Sequence, residues 1–326
     1  MKFSVVITTY NRLNLLKRAI GSAFNQSFPC EVVVADDCSG DGTQEYVISC
    51  IEKLEKLSKA GDFRLVYHRN RVHSGHAATV NAGVDKASGD WIKFLDDDDY
   101  LAPNCLEVMA AAIALRPQAA ILSCIAAQVN EQQVEVGRTP QVGPGLAFYV
   151  PQADIHYGML LELLPFGTPV QVACRRDAFL QTGGWDSKLD VNCDDIDCWI
   201  HIAKFGDAIF LNQCLACRTI WQGAYNNKFS SFERFSNNLL IKKKIYALVD
   251  EKYRSCVPAW KDIQNYLKLH WLFVALKQRD FQGGKNIISS SIFSIFSCQA
   301  WQILLMAFVH RYFHCYSGQI RKYILM

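Results

Sequence analysis

Trp91-Ile92-Lys93-Phe94-Leu95-Asp96-Asp97-Asp98-Asp99-Tyr100 passes from a mostly apolar, strand-like stretch straight into four consecutive carboxylates. Like charges in a row repel, so a folded chain keeps such a run only where solvent or a cation relieves it. Carboxylate oxygens are hard ligands that suit Mg²⁺ or Mn²⁺, and Mg²⁺ usually completes its shell with water and substrate phosphates. Ligands of open α/β sheets bind beyond the carboxyl ends of the strands, and the run stands at such an end. On its own it reads equally well as a solvated acidic turn.

The flanking sequence repeats the pattern. Phe3-Ser4-Val5-Val6-Ile7 reads as a buried strand that ends in Thr8-Thr9-Tyr10. A helix follows, with Leu15, Leu16, Ala19, Ile20, Ala23 and Phe24 on one face and Pro29 beyond it. Glu31-Val32-Val33-Val34-Ala35 is a second strand, ending in Asp36-Asp37, and Ser39 or Asp41 can cap the next helix. That helix carries Val47, Ile51, Leu54 and Leu57; a third strand spans Phe63 to Tyr67, and Ala77 to Ala87 reads as helix. Strands alternating with helices imply an α/β fold with a mostly parallel sheet. The polar ends of the first, second and fourth strands then share one edge, a crevice suited to a nucleoside diphosphate and a metal ion.

Composition narrows the classes. Half of the 326 residues are hydrophobic, and a net charge of only +3 does not point to nucleic acid. The thirteen cysteines are scattered, and Cys214 with Cys217 has no second pair to complete a zinc site. No signal peptide opens the chain, so reduced thiols in the cytoplasm are expected.

Residues 130 to 170 are punctuated by Pro and Gly and read as loops and short strands shaping a second substrate's pocket. Val170 to Cys174 reads as a strand, followed by Gly183-Gly184-Trp185-Asp186 and then by Asp194-Asp195-Ile196-Asp197 at the start of a helix. Acids there also suit the helix macrodipole, a purely structural role.

In this order the motifs resemble the family 2 glycosyltransferases, enzymes of the GT-A fold that use nucleotide-sugar donors. The resemblance rests on Ser4 to Arg12, Val33 to Thr43, Asn81-Ala82-Gly83, Ala87 to Asp90, Phe94 to Asp99, Gly183 to Asp186, and Asp194 to Trp199. It implies a catalytic domain over 1–225, with a nucleotide-sugar half (1–100) and an acceptor half (101–225), and a helical extension over 226–326. It implies that Thr8 and Tyr10 flank the nucleobase and ribose, although Tyr10 also reads as a packing aromatic. Asp37 matches the position that reads the base, while Asp36 either joins it or braces the turn. Arg12 and Asn81 belong to the same donor-binding motifs. Asp96 and Asp98 form the metal-binding D-x-D pattern, Asp97 faces the ribose or the metal's water shell, and Asp99 has the weakest claim. Asp195 is the expected general base, with Asp194 beside it. Such enzymes transfer with inversion, and UDP is their commonest donor base, with dTDP and GDP open.

Two departures stand out. Val80 occupies a place that is basic in many relatives, and Cys217-Arg218-Thr219-Ile220-Trp221 lacks their histidine. Arg218 or Lys228 can supply positive charge instead. His73 and His76 lie in a glycine-containing loop, either near the donor or exposed without a role.

Phe232 to Val249 reads as a basic amphipathic helix with Lys242-Lys243-Lys244 exposed. Asn286 to Val309 carries no formal charge, but its serines and glutamines weaken a membrane span. The tail fits an interfacial helix on an anionic inner leaflet, or helices packed back on the catalytic domain. The resemblance makes a glycan or lipid-linked glycan the expected acceptor, in bacterial surface polysaccharide assembly. A non-catalytic sugar-nucleotide-binding scaffold and a nucleotidyltransferase are the alternatives; the latter lacks a glycine-rich loop after the first strand.

Overall fold

The computed structural model describes residues 1–56, 63–189, 193–221, 229–290, 298, 301–303, 305 and 320–326. The first two apolar runs form strands in which every residue is covered. β1 (Phe3–Thr9) and β2 (Cys30–Asp36) are buried along their whole length, as expected of parallel strands packed on both faces. Between them α1 (Leu13–Phe24) buries Leu16, Ala19, Ile20 and Ala23, the face its spacing dictates. α2 (Thr43–Lys56) leads to β3 (Phe63–Arg69), and α3 (His76–Lys86) to β4 (Trp91–Asp96). Leu57, expected on α2, lies outside the described residues. At Gly83 a Cβ would stand 2.6 Å from Val6 Cγ1, so only glycine lets α3 lie this close to β1.

The chain continues through β5 (Tyr100–Leu101), α4 (Cys105–Leu115), β6 (Ala119–Val129), β7 (Glu135–Arg138), β8 (Ala147–Val150) and α5 (Gln152–Leu160). β9 (Val172–Arg175), α6 (Arg176–Thr182), α7 (Asp194–Ile202) and β10 (Asp207–Thr219) follow. Then come α8 (Ser231–Ala247), α9 (Trp260–Gln278), α10 (Phe281–Ser289) and β11 (Tyr323–Ile324). The sheet runs β11-β8-β10-β6-β9-β4-β1-β2-β3. β3, β2, β1 and β4 are mutually parallel, as are β6 and β10, whereas β9 is antiparallel to both β4 and β6. Lys93 joins β4 to the turn before β9: fully buried, its ammonium donates to the carbonyls of Phe94 (2.8 Å) and Val170 (2.6 Å).

Contacts divide the chain into two units, Met1–Gln152 with Pro165–Trp221 and Lys322–Met326, and Ala153–Leu164 with Gln222–Arg321. The second is helical. Ser230 and Glu233 form a capping box at the start of α8, and Asp280 caps α10 through Gly283 N–H. Lys243 of the expected exposed lysine run is exposed, but Lys242 is buried. Its ammonium donates to the carbonyls of Leu160 (2.7 Å) and Met159 (3.3 Å) and pairs with Glu162 at 3.1 Å. Those carbonyls end α5, where unpaired C=O groups and the helix dipole attract a cation. No helix among the described residues is long and apolar enough to cross a membrane. Much of the charge-free stretch, 291–297, 299–300, 304 and 306–309, lies outside the described residues.

Candidate active site

Strand register brings the three polar turns level. Thr9 of β1 is paired with Asp36 of β2, and Thr8 with Asp96 of β4. The turns after β1 and β2 are stapled together: Asn11 N–H donates to Ser39 Oγ (2.9 Å), and Gly40 N–H to Asn11 Oδ1 (2.8 Å). Asn11 and Cys38 hold left-handed backbone, φ 53° and 68°, to make this fit.

In the β2 turn the paired carboxylates have different surroundings. Asp36, fully buried, accepts from Ser39 N–H (2.9 Å) and from the Tyr67 hydroxyl (2.6 Å), which is the bracing arrangement. Asp37 accepts from Asn70 Nδ2 (2.8 Å), Ser74 N–H (2.7 Å) and Gly75 N–H (2.9 Å). Burial alone would raise its pKa, but these donors and the nearby His73 hold it below the usual carboxylate range. His73 Nδ1 lies 2.7 Å from Asp37 Oδ2, and the ring stacks on Tyr10 with centroids 4.1 Å apart. Tyr10 is thus an exposed ring packed on a loop histidine, an arrangement open to both readings of it.

The acidic run is only partly neutralised. Thr8 Oγ1 donates to Asp96 Oδ1 (2.9 Å), and Thr9 Oγ1 to Asp97 Oδ2 (2.8 Å). Arg12 spans Asp97 (3.1 Å) and Asp98 (3.0 Å), its guanidinium lying over the Trp221 ring. Burial pushes Asp97 up to about 7, with Arg12 opposing and Asp98 adding to the rise. Asp98 and Asp99 are raised as well, by burial and by their acidic neighbours. Asp99 accepts from Thr219 N–H of β10 (2.8 Å), and Arg218 places positive charge beside it. Lys228 lies outside the described residues.

Among the described residues no three His, Cys, Asp or Glu side chains converge as a bound ion would require. Asp96 is turned to His76 and Asp98 to Arg12. The donor set nonetheless fits a divalent cation: Asp96 and Asp98 offer hard oxygens, and the run carries carboxylates that burial and mutual repulsion leave poorly compensated.

α7 supplies the second acidic group. Asp194 is buried and Asp195 half-buried, and each accepts from the next backbone N–H, Asp195 N at 3.0 Å and Ile196 N at 2.6 Å. Burial, with Asp194 adding to it, pushes the Asp195 carboxyl up to about 7. Asn81 binds the glycine turn that precedes α7. Its amide is spent on the Trp185 backbone, accepting from N–H (2.8 Å) and donating to C=O (2.9 Å), and so fixes the glycine turn. Asp197 N–H continues the helix by donating to Cys193 C=O at 2.9 Å.

The family model described as glycosyl transferase family 2 matches residues 4–183, more than half of the chain. The chain belongs to this family. Among curated relatives of this glycosyltransferase, a GalNAc(5)-diNAcBac-PP-undecaprenol beta-1,3-glucosyltransferase of Campylobacter jejuni is 39% identical over 110 residues, 33% of each chain. The poly(ribitol-phosphate) beta-N-acetylglucosaminyltransferase TarS of Staphylococcus aureus is 34% identical over 117 residues, 35% of this chain and 19% of TarS. The chain thus spans about a third or less of the length of these two relatives. The crystal structure of S. aureus TarS 1-349 with UDP-GlcNAc superposes with a TM-score of 0.61 at 19% identity, over 88% of this chain and 90% of that one. The mannosyltransferase PcManGT of Pyrobaculum calidifontis with GDP-Man and Mn²⁺ gives 0.54 at 17% identity, over 96% and 87%. At such identities the superpositions establish the GT-A fold.

Two side chains in this family 2 glycosyltransferase site were not assigned from sequence. His76, left open between two readings, reaches Asp96 with Nε2 at 2.9 Å. Arg18 donates to the Asp98 carbonyl and to Thr219 Oγ1 (2.9 Å), and lies over Tyr100. Arg18 sits mid-helix on α1, where nothing in the spacing marks it as reaching the acidic turn.

Proposed function

We propose that the protein is a divalent-metal-dependent, inverting glycosyltransferase that moves one sugar from a UDP-sugar to an acceptor hydroxyl. The observation that carries this reading is one strand-end edge presenting Asp37, the Asp96–Asp99 run and Thr8 together in register. In this reading residues 1–100 hold the donor. Tyr10 stacks on the base, Asp37 accepts its ring N–H, Asp97 and Arg12 sit by the ribose and diphosphate, and Asn81 acts by fixing the Trp185 turn. Asp96 and Asp98 would hold the cation, which when bound offsets the charge gathering on the departing diphosphate.

Residues 101–225 face the acceptor. Asp195 takes the acceptor proton as the hydroxyl attacks C1 from the side opposite the leaving group; a carboxyl near 7 suits a general base at neutral pH. The names of the Campylobacter and Staphylococcus relatives, with their undecaprenol-linked and poly(ribitol-phosphate) acceptors, support a glycan or lipid-linked glycan acceptor, and the reading places the enzyme in bacterial surface polysaccharide assembly. The UDP-GlcNAc bound by the TarS structure supports UDP as the donor base. Isothermal calorimetry with UDP, dTDP and GDP tests the donor assignment: UDP is expected to bind most tightly, and preference for another base would replace it.

A further inference from the structure

The His76 ring stands between the Asp96 end of the site and the first turn of α7. His76 opens α3 directly after Gly75, whose backbone φ of 89° allows the sharp entry. The entry is fixed from below, because Ser74 and Gly75 N–H both donate to Asp37. From there Nε2 meets Asp96 Oδ1 at 2.9 Å, while Nδ1 stands 3.7 Å from Asp194 Oδ2. The ring lies edge-on to Trp185 at 5.3 Å, and Asn81 pins the Trp185 backbone. At 3.7 Å the contact to Asp194 is too long for a hydrogen bond, and Asp194 Oδ2 is a buried oxygen without a hydrogen-bond partner among the described residues. A buried acceptor left open is costly, and catalytic hydrogen bonds that are long without substrate commonly tighten when it binds.

We propose that His76 is a positioning residue that closes onto Asp194 when substrate binds, tying the Asp96 end of the donor site to α7 and so setting where Asp195 meets the acceptor. The inference rests on the reading of Asp195 as general base. Closure would complete the hydrogen bonding of Asp194 and hold the first turn of α7 in register with the strand ends. A misplacement of about 1 Å at a reacting group can lower a rate roughly 100-fold, so such a tie acts on turnover more than on affinity.

The test compares wild type with His76→Ala, His76→Gln, Asp194→Asn and the His76→Ala/Asp194→Asn double variant. Readouts are nucleoside diphosphate release from a panel of UDP-, dTDP- and GDP-sugars and calorimetric affinity for the matching nucleoside diphosphate. His76→Ala is expected to cut release about 10- to 100-fold while the affinity moves less than about threefold. His76→Gln, which keeps a side-chain N–H, should recover part of the loss. The double variant should be no slower than the worse of the two single variants, because both remove one tie. Equal losses in rate and affinity would make His76 a donor-binding residue and overturn the proposal. So would additive effects in the double variant, or an unaltered rate in His76→Ala. Wild-type turnover with Asp195→Asn fully active would remove the base reading itself, a failure distinct from any of these.

Discussion

Asp36 and Asp37 are adjacent, identical in chemistry and different in use. Asp36 is closed off by Tyr67 and Ser39, whereas Asp37 collects backbone N–H groups from the loop before α3 and faces the Tyr10–His73 stack. Asp37→Asn should weaken nucleoside diphosphate binding about 10- to 100-fold, the range for a charged hydrogen bond, measured by calorimetry. For Asp195 the sign of the pH dependence follows from the role proposed for it: a base works when deprotonated. With its carboxyl raised to about 7, kcat/KM should climb as pH rises through that value and level off above it. Asp195→Asn should lower turnover about 10²- to 10⁴-fold with nucleotide affinity retained. The sequence marked both residues through their neighbours, Val-Val-Ala before one and Trp199 after the other. The partners that tune Asp37, namely Asn70, Ser74 and Gly75, depend on loop paths that spacing does not encode.

At the scale of elements, the first four strands and their helices were legible because each apolar run has the period of its final state and ends in polar turn residues. β1, β2 and β4 extend one to two residues past the expected ends, where Thr8, Thr9, Asp36 and Asp96 still pair with their neighbours. α5 was not legible: Gln152–Leu160 lies in a stretch read as loops and short strands, flanked by Pro151 and Pro165. Residues 170–171, expected to open the strand at Val170, form the end of a 3₁₀ turn with Pro169 before β9 begins at Val172. β9 is also antiparallel to its neighbours, a pairing that an isolated apolar run cannot announce. The α3–β1 contact carries its own prediction. Gly83→Ala places a methyl 2.6 Å from Val6 and 3.1 Å from Ala35, so it should destabilise the fold by about 1–3 kcal/mol in urea unfolding.

On the scale of the whole molecule, each unit holds a buried acid whose charge is stabilised on folding. Glu31 in the first unit accepts from Ser4 and Ser88, and Asp154 in the second is paired with Lys252 and Arg321. Burial works against both charges, yet these donors and cations hold both pKa values below the ordinary carboxylate range. The unfolded values are higher, about 4, so the stabilisation is complete above that pH and is lost as pH falls through the depressed folded values. As pH falls from neutral toward about 5, the share due to Glu31 and Asp154 should stay flat while the raised Asp97 and Asp195 carboxyls add stability. Urea unfolding should therefore show maximal stability near about pH 5, with the Glu31 and Asp154 share lost below about 4. Arg321→Ala should move that loss to higher pH.

The organisation as a whole, strand ends gathering Asp37, the Asp96–Asp99 run and the acidic first turn of α7, makes one experiment decisive for the proposed function. Purified protein is given UDP-, dTDP- and GDP-sugars with Mn²⁺ and then with EDTA, and nucleoside diphosphate release is followed. The predicted result is release from a UDP-sugar that requires the metal and stops with EDTA. Release indifferent to EDTA would contradict the role of Asp96 and Asp98, and neither release nor binding with any donor would contradict the glycosyl-transfer reading itself.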